Sequence, residues 1–136
     1  MNNDFSTWRV LAADDEPDNL ELLTEVLNMQ GATVHQARDG QAVLDAIDAF
    51  RPNVILLDLA MPGMDGWEAH RRLRGRGDLN QVPIIAITAL AMAQDREQAV
   101  RDGFDGFITK PYRIQALLTE LDACVRPFLS ANNRSG

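Results

Sequence analysis

Cysteine is nearly missing from this sequence. Cys124 stands alone among 136 residues, so no internal disulfide can form and a reducing compartment is the simpler expectation. Lysine is equally scarce: of 13 basic residues, Lys110 is the only lysine and the rest are arginine. Long hydrophobic runs are absent. The longest near-apolar stretch, Val82 to Ala93, is broken by Pro83 and Thr88 and falls short of the roughly 18 residues that span a bilayer. The opening residues Met1-Asn2-Asn3-Asp4-Phe5 lack the basic start and apolar core of a secretory signal. Together these absences predict a cytoplasmic protein with no membrane partner. Positive charge is also in deficit, with 13 basic against 20 acidic residues and a net charge of −7. Such a chain repels phosphate backbones, so direct DNA binding through bulk charge is not expected. Nine glycines and six prolines are too few for low-complexity sequence.

What is present is the balance of a globular domain, 46% apolar and 24% charged. The length suits one domain over residues 1–136, with a core of about 8–128 and short flexible termini. Five short apolar runs recur: Arg9 to Ala13, Thr33 to His35, Val54 to Leu57, Ile84 to Ile87 and Phe107 to Thr109. Several are continuous and β-branched, as strands buried on both faces are. The spacing between them leaves room for a helix in every connection, which parallel strands require. Leu20, Leu23 and Leu27 mark the first helix, with Pro17 at its start and Gly31 as its stop. Val43 and Ile47 mark the second, ending before Pro52, and Trp67 to Leu73 the third. Gln94 to Arg101 has the weakest apolar pattern. Ile114, Leu117, Leu118, Leu121 and Val125 make the clearest, running up to Pro127, with Ser130 to Gly136 as a frayed tail. A (βα)5 order with right-handed crossovers predicts a three-layer, doubly wound α/β fold with a parallel sheet.

Ligands of such sheets bind beyond the carboxyl ends of the strands. The first strand ends in Asp14-Asp15, the third in Asp58, the fourth in Thr88, and the fifth in Lys110-Pro111. Three converging carboxylates persist ionised only if a cation offsets them. Hard oxygen ligands suit Mg²⁺, whose shell a phosphate often completes. An acidic pocket with one ammonium and one hydroxyl matches phosphoryl transfer, with a carboxylate as the nucleophile. The single lysine sits at one of these strand ends, where a compact point charge serves better than a guanidinium fork.

These residues, with the loop Asp58-Leu59-Ala60-Met61-Pro62-Gly63-Met64-Asp65-Gly66, resemble the receiver domain of bacterial two-component response regulators, in the single-domain form of the chemotaxis regulators. The resemblance covers roughly Trp8 to Phe128. It implies the flavodoxin-like strand order 2-1-3-4-5. It also implies that Asp58 is the phosphorylated nucleophile, with Lys110 and Thr88 holding phosphoryl oxygens. Mg²⁺ would sit on Asp15, Asp58 and the Ala60 carbonyl, with Asp14 acting through a metal-bound water. Thr88 and Phe107 would form the switch, and Lys110-Pro111 would be a cis peptide. A sensor histidine kinase or a histidine phosphotransfer protein would supply the phosphoryl group. The target would be another protein, and a homodimer through the fourth and fifth helices is a further implied partner. Ala60 and Leu90 occupy the two positions that set phosphoryl lifetime in such proteins. Neither can orient a water, so slow self-dephosphorylation is expected.

Other readings compete. Asp14 or Asp15 could cap the first helix, and Asp65-Gly66 reads as a turn and helix start without chemistry. His35 and His70 share no metal spacing and read as structural or solvated. Cys124 reads as a packing residue. Arg71, Arg72, Arg74 and Arg76 read as a solvated complement to a helix C-terminus. A Mg²⁺-dependent aspartyl-phosphate phosphatase would want a second acid at position 60, which is alanine. A flavin carrier would want glycines in the loop after the first strand, which is Asp14-Asp15-Glu16-Pro17. A receiver-like binding module that is never phosphorylated is the remaining alternative.

Overall fold

The computed structural model describes residues 4–90 and 92–134. Every apolar run becomes a strand: β1 (Arg9–Ala13), β2 (Thr33–Ala37), β3 (Val54–Leu57), β4 (Ile84–Thr88) and β5 (Gly106–Thr109). Helices α1 (Pro17–Met29), α2 (Gly40–Phe50), α3 (Gly66–Gly75), α4 (Ala93–Asp102) and α5 (Ile114–Arg134) alternate with them. The strands form one parallel sheet in the order β2-β1-β3-β4-β5, the flavodoxin-like arrangement.

Alternation along the strands divides the core in two. Val10, Ala12, Leu56, Ile85, Ile87 and Ile108 face α1 and α5. Leu11, Ala13, Ile55, Leu57 and Ile84 face α2 and α3. Strands β1, β3 and β4 are buried on both faces except at Arg9. The edge strand β2 is not: Thr33, His35 and Gln36 are exposed. An edge strand has one strand neighbour, so more of it faces solvent and its sequence is more polar.

Three sequence expectations need correction. The fifth helix does not stop at Pro127 but continues to Arg134. Proline removes one N–H from the ladder, yet Leu121 and Val125 on one side of it are fully buried and Leu129 on the other packs against the core. That packing holds the helix through the break. Of the expected frayed tail, residues 130–134 are therefore helical, and Ser135 and Gly136 lie outside the described residues. The expected mobile start is likewise partly core: Phe5 is fully buried and stacks on Trp8 with centroids 3.6 Å apart, while Met1 to Asn3 lie outside the described residues. Neither Asp14 nor Asp15 caps α1. Its N-cap is Glu16, without a side-chain bond, and Pro17 opens the helix. No helix among the described residues is long and apolar enough to cross a membrane.

Candidate functional site

Register builds the site. Ala13 of β1 lies beside Leu57 of β3, so the next residues, Asp14 and Asp58, emerge side by side. The Asp58 N–H donates to the Ala13 carbonyl at 3.0 Å, and the Asp14 N–H to that of Ala37 at 3.1 Å. At the other end of the crevice Thr88 pairs with Thr109, which delivers Lys110 to the same rim. The Lys110 N–H donates to the Thr88 carbonyl at 2.9 Å.

Both carboxylates are buried, Asp14 at 4% and Asp58 at 6% exposure, where an unpaired charge would be costly. Each has a partner. The Lys110 ammonium donates to Asp14 Oδ2 at 2.5 Å and to Asp58 Oδ2 at 2.7 Å. The remaining oxygens fold their own loops: Asp14 Oδ1 accepts the Glu16 N–H at 2.9 Å and Asp58 Oδ1 the Ala60 N–H at 3.0 Å. Burial pulls the Lys110 ammonium toward neutrality, but the hydrogen bonds and charges of Asp14 and Asp58 outweigh it and hold its pKa above the ordinary lysine value.

The exposed Asp15 completes a cluster in which one oxygen from each of Asp14, Asp15 and Asp58 lies within 4.8 Å of the others. Three carboxylates against one ammonium leave a surplus of two negative charges. An all-carboxylate donor set with that surplus fits a hard divalent cation. Ala60 borders the same cavity, together with Glu16, Asn19, Leu22, Leu90 and Tyr112.

Other expected residues stand further back. Thr88 is fully buried, and its hydroxyl accepts the Leu90 N–H at 3.2 Å. Phe107 is half-buried on β5, with the Arg96 guanidinium over its ring at 4.8 Å. The Lys110–Pro111 peptide bond is cis. Leu90 and Met92 are exposed at 37% and 66%.

Two residues escaped sequence reasoning. Tyr112 is half-buried at the cavity mouth, and burial raises its hydroxyl pKa against an opposing pull from Lys110. Its being the only tyrosine was the one available signal. Gly66 presses against the loop that follows β3: a Cβ there would meet the Asp58 carbonyl at 2.4 Å and the Leu59 Cα at 2.8 Å. Beside it, Asp65 caps α3 by accepting the Glu68 N–H at 2.9 Å. That dipeptide therefore shapes the site as well as starting the helix.

The bland readings divide. His35 is exposed beside Phe50. His70 is buried to 1% exposure, stacked on Phe104 at 4.0 Å, with neither ring nitrogen hydrogen-bonded among the described residues. The arginine run is more than a solvated face. Arg74 pairs with Asp105 at 2.7 Å and donates to the Leu79 carbonyl at 2.6 Å, while Arg76 pairs with Asp48 and Asp78. These side chains tie loops at the end of the sheet remote from the carboxylates.

Comparison with known proteins agrees with this geometry. Residues 10–122 match the family model described as the response regulator receiver domain. Response regulator MprA of Mycobacterium tuberculosis is 36% identical over 118 residues, which are 87% of this chain and 50% of MprA. The chain thus spans about half the length of that curated relative. Among solved structures, the receiver domain of a signal transduction histidine kinase from Syntrophus aciditrophicus superposes with a TM-score of 0.80 at 30% identity, covering 88% of this chain and 91% of its own. The chemotaxis response regulator CheY4 of Vibrio cholerae gives 0.81 at 27%, covering 86% and 98%.

Proposed function

Because this chain belongs to the receiver-domain family of response regulators, we propose that it is a phosphorylation-controlled switch with Asp58 as the phosphoryl acceptor. The observation that carries the reading is the Lys110 ammonium bridging two buried carboxylates, one of them at the end of β3. An ammonium so placed can pass from Asp58 Oδ2 to a phosphoryl oxygen added at that carboxylate.

In the reaction an Asp58 carboxylate oxygen attacks phosphorus. The O–P bond forms, the N–P bond to a donor histidine breaks, and the imidazole keeps the departing electron pair and takes a proton. Lys110 holds a phosphoryl oxygen, and the Thr88 hydroxyl leaves the Leu90 N–H to bind another. Asp15, Asp58 and the Ala60 carbonyl would hold Mg²⁺, with Asp14 reaching it through water. When bound, Mg²⁺ supplies charge neutralisation at the phosphoryl oxygens. The donor is a sensor histidine kinase or a histidine phosphotransfer protein. The chain is no enzyme beyond this chemistry on itself. Its signal is changed binding to a target protein, or to a second copy through α4 and α5, in the cytoplasm.

Intact mass after incubation with acetyl phosphate tests this. With Mg²⁺ the protein gains one phosphoryl group; without Mg²⁺, or as Asp58→Asn, it gains none. The adduct persists after the donor is removed, because Ala60 and Leu90, which border the cavity, have no polar side-chain atom with which to orient a water. Rapid turnover with free phosphate released would favour a phosphatase. Absence of any adduct would favour a docking module that is never phosphorylated.

A further inference from the structure

Arg96 spends its charge in an unusual way. It lies on the first half of α4 with its side chain exposed, and among the described residues it makes no ion pair. Its Nη2 donates instead to Thr109 Oγ1 at 2.7 Å, and its guanidinium carbon lies 4.8 Å from the centroid of the Phe107 ring. Phe107 and Thr109 are two residues apart on β5, so they share one face, while Ile108 between them points into the opposite core. Arg96 thus clasps both residues of that face, and Thr109 is covalently next to Lys110.

The clasp ties α4 to β5. That helix buries only Ala99, while Met92 and Val100 stand 66% and 76% exposed. Phe107 has no hydroxyl with which to fix its own orientation. A planar cation over the ring supplies that hold, and one hydrogen bond aims the guanidinium.

We infer that Arg96 is a positioning residue for the switch: it latches Phe107 in its half-buried place against α4 and so opposes phosphoryl-driven rearrangement. The inference rests on the switch reading above. If Phe107 moves inward when Thr88 moves, the ring leaves the guanidinium and this contact is lost. Any ligand that favours the switched arrangement then binds against the latch, and removing the latch strengthens binding.

The test is titration with beryllium fluoride in the presence of Mg²⁺, a stable mimic of the phosphoryl group, followed by the NMR signals of Phe107 and β5. In Arg96→Met, which keeps the aliphatic stem, apparent affinity should rise about three- to tenfold. Thr109→Val should give a smaller rise, and the double variant no more than Arg96→Met alone, since the threonine acts through the arginine. Thermal melting without ligand should stay equal or fall. A merely structural role would lower melting without raising affinity. Unchanged or weakened affinity in Arg96→Met, with the wild type binding normally, would overturn the latch and leave the switch standing. Failure of the wild type to bind, or binding without any change at Phe107, would remove the switch reading and the latch with it.

Discussion

A buried histidine shows how much a single residue's surroundings decide. Burial, reinforced by the Arg74 charge and opposed by the nearby Gly103 backbone and by Asp102 and Asp105, lowers the pKa of His70 below 6.5. The folded state therefore prefers the neutral ring, and the unfolded chain binds the proton more readily. Stability from this group is complete above about pH 6.5 and falls as pH drops below that value toward the folded pKa, with a slope of up to about 1.4 kcal/mol per pH unit. His70→Phe keeps the stack on Phe104 and removes the proton. Urea unfolding between pH 7 and 5 should show a flatter pH dependence in the variant than in the wild type. Gly66 makes the same point by steric means. Gly66→Ala places a methyl where the Asp58 carbonyl and Leu59 already are, so the loop must shift. The expected outcome is a loss of about 1–3 kcal/mol in urea unfolding and, with Asp58 as the proposed acceptor, a phosphoryl uptake rate reduced at least about tenfold by its displacement. Neither effect could be read from the sequence, because a histidine or a glycine carries no sign of its neighbours. The three clustered carboxylates and the lysine were legible, because charged residues directly after apolar strands stand out.

Among the helices, α4 buries the fewest side chains, Ala99 alone. Its sequence, Ala93 to Asp102, is mostly polar, and it rests on Ala99 and the Arg96 clasp. Elements with little buried apolar surface open at low free energy. Amide exchange by mass spectrometry should therefore find α4 exchanging well before α1, which buries Leu20, Leu23, Val26 and Leu27. Protection of α4 equal to that of α1 would contradict this. The weak apolar pattern of this segment was already visible in the sequence. Helix α5 shows the limit of such reading. Pro127 is a local stop signal of about 3 kcal/mol, and only the burial of Val125 and Leu129 against the core explains why the helix passes through it.

At the scale of the whole molecule, the sheet gathers opposing charge at one end and leaves a surplus of two negative charges there. A cation that binds this cluster in the folded state alone stabilises the fold by mass action, about 2.7 kcal/mol when its free concentration is 100 times its Kd. The melting temperature should rise with added Mg²⁺, and Asp15→Asn, exposed and remote from the core, should blunt that rise without lowering the melting temperature in its absence. An equal rise in the variant would show that the cation binds elsewhere. The (βα)5 order, the strands and the residues at their ends were determined by the sequence alone, because hydrophobic periodicity and strand-end chemistry are local patterns. The strand order reached the sequence reading only through a family resemblance. Tertiary structure decided the rest: the salt bridges from Lys110 across 96 and 52 residues of chain, the contact of Gly66 with Asp58, the burial of His70 against Phe104, and the Arg96 clasp. Those depend on register and on which helix lies over which strand. Contacts between residues distant in the chain appear only when the whole sheet has closed.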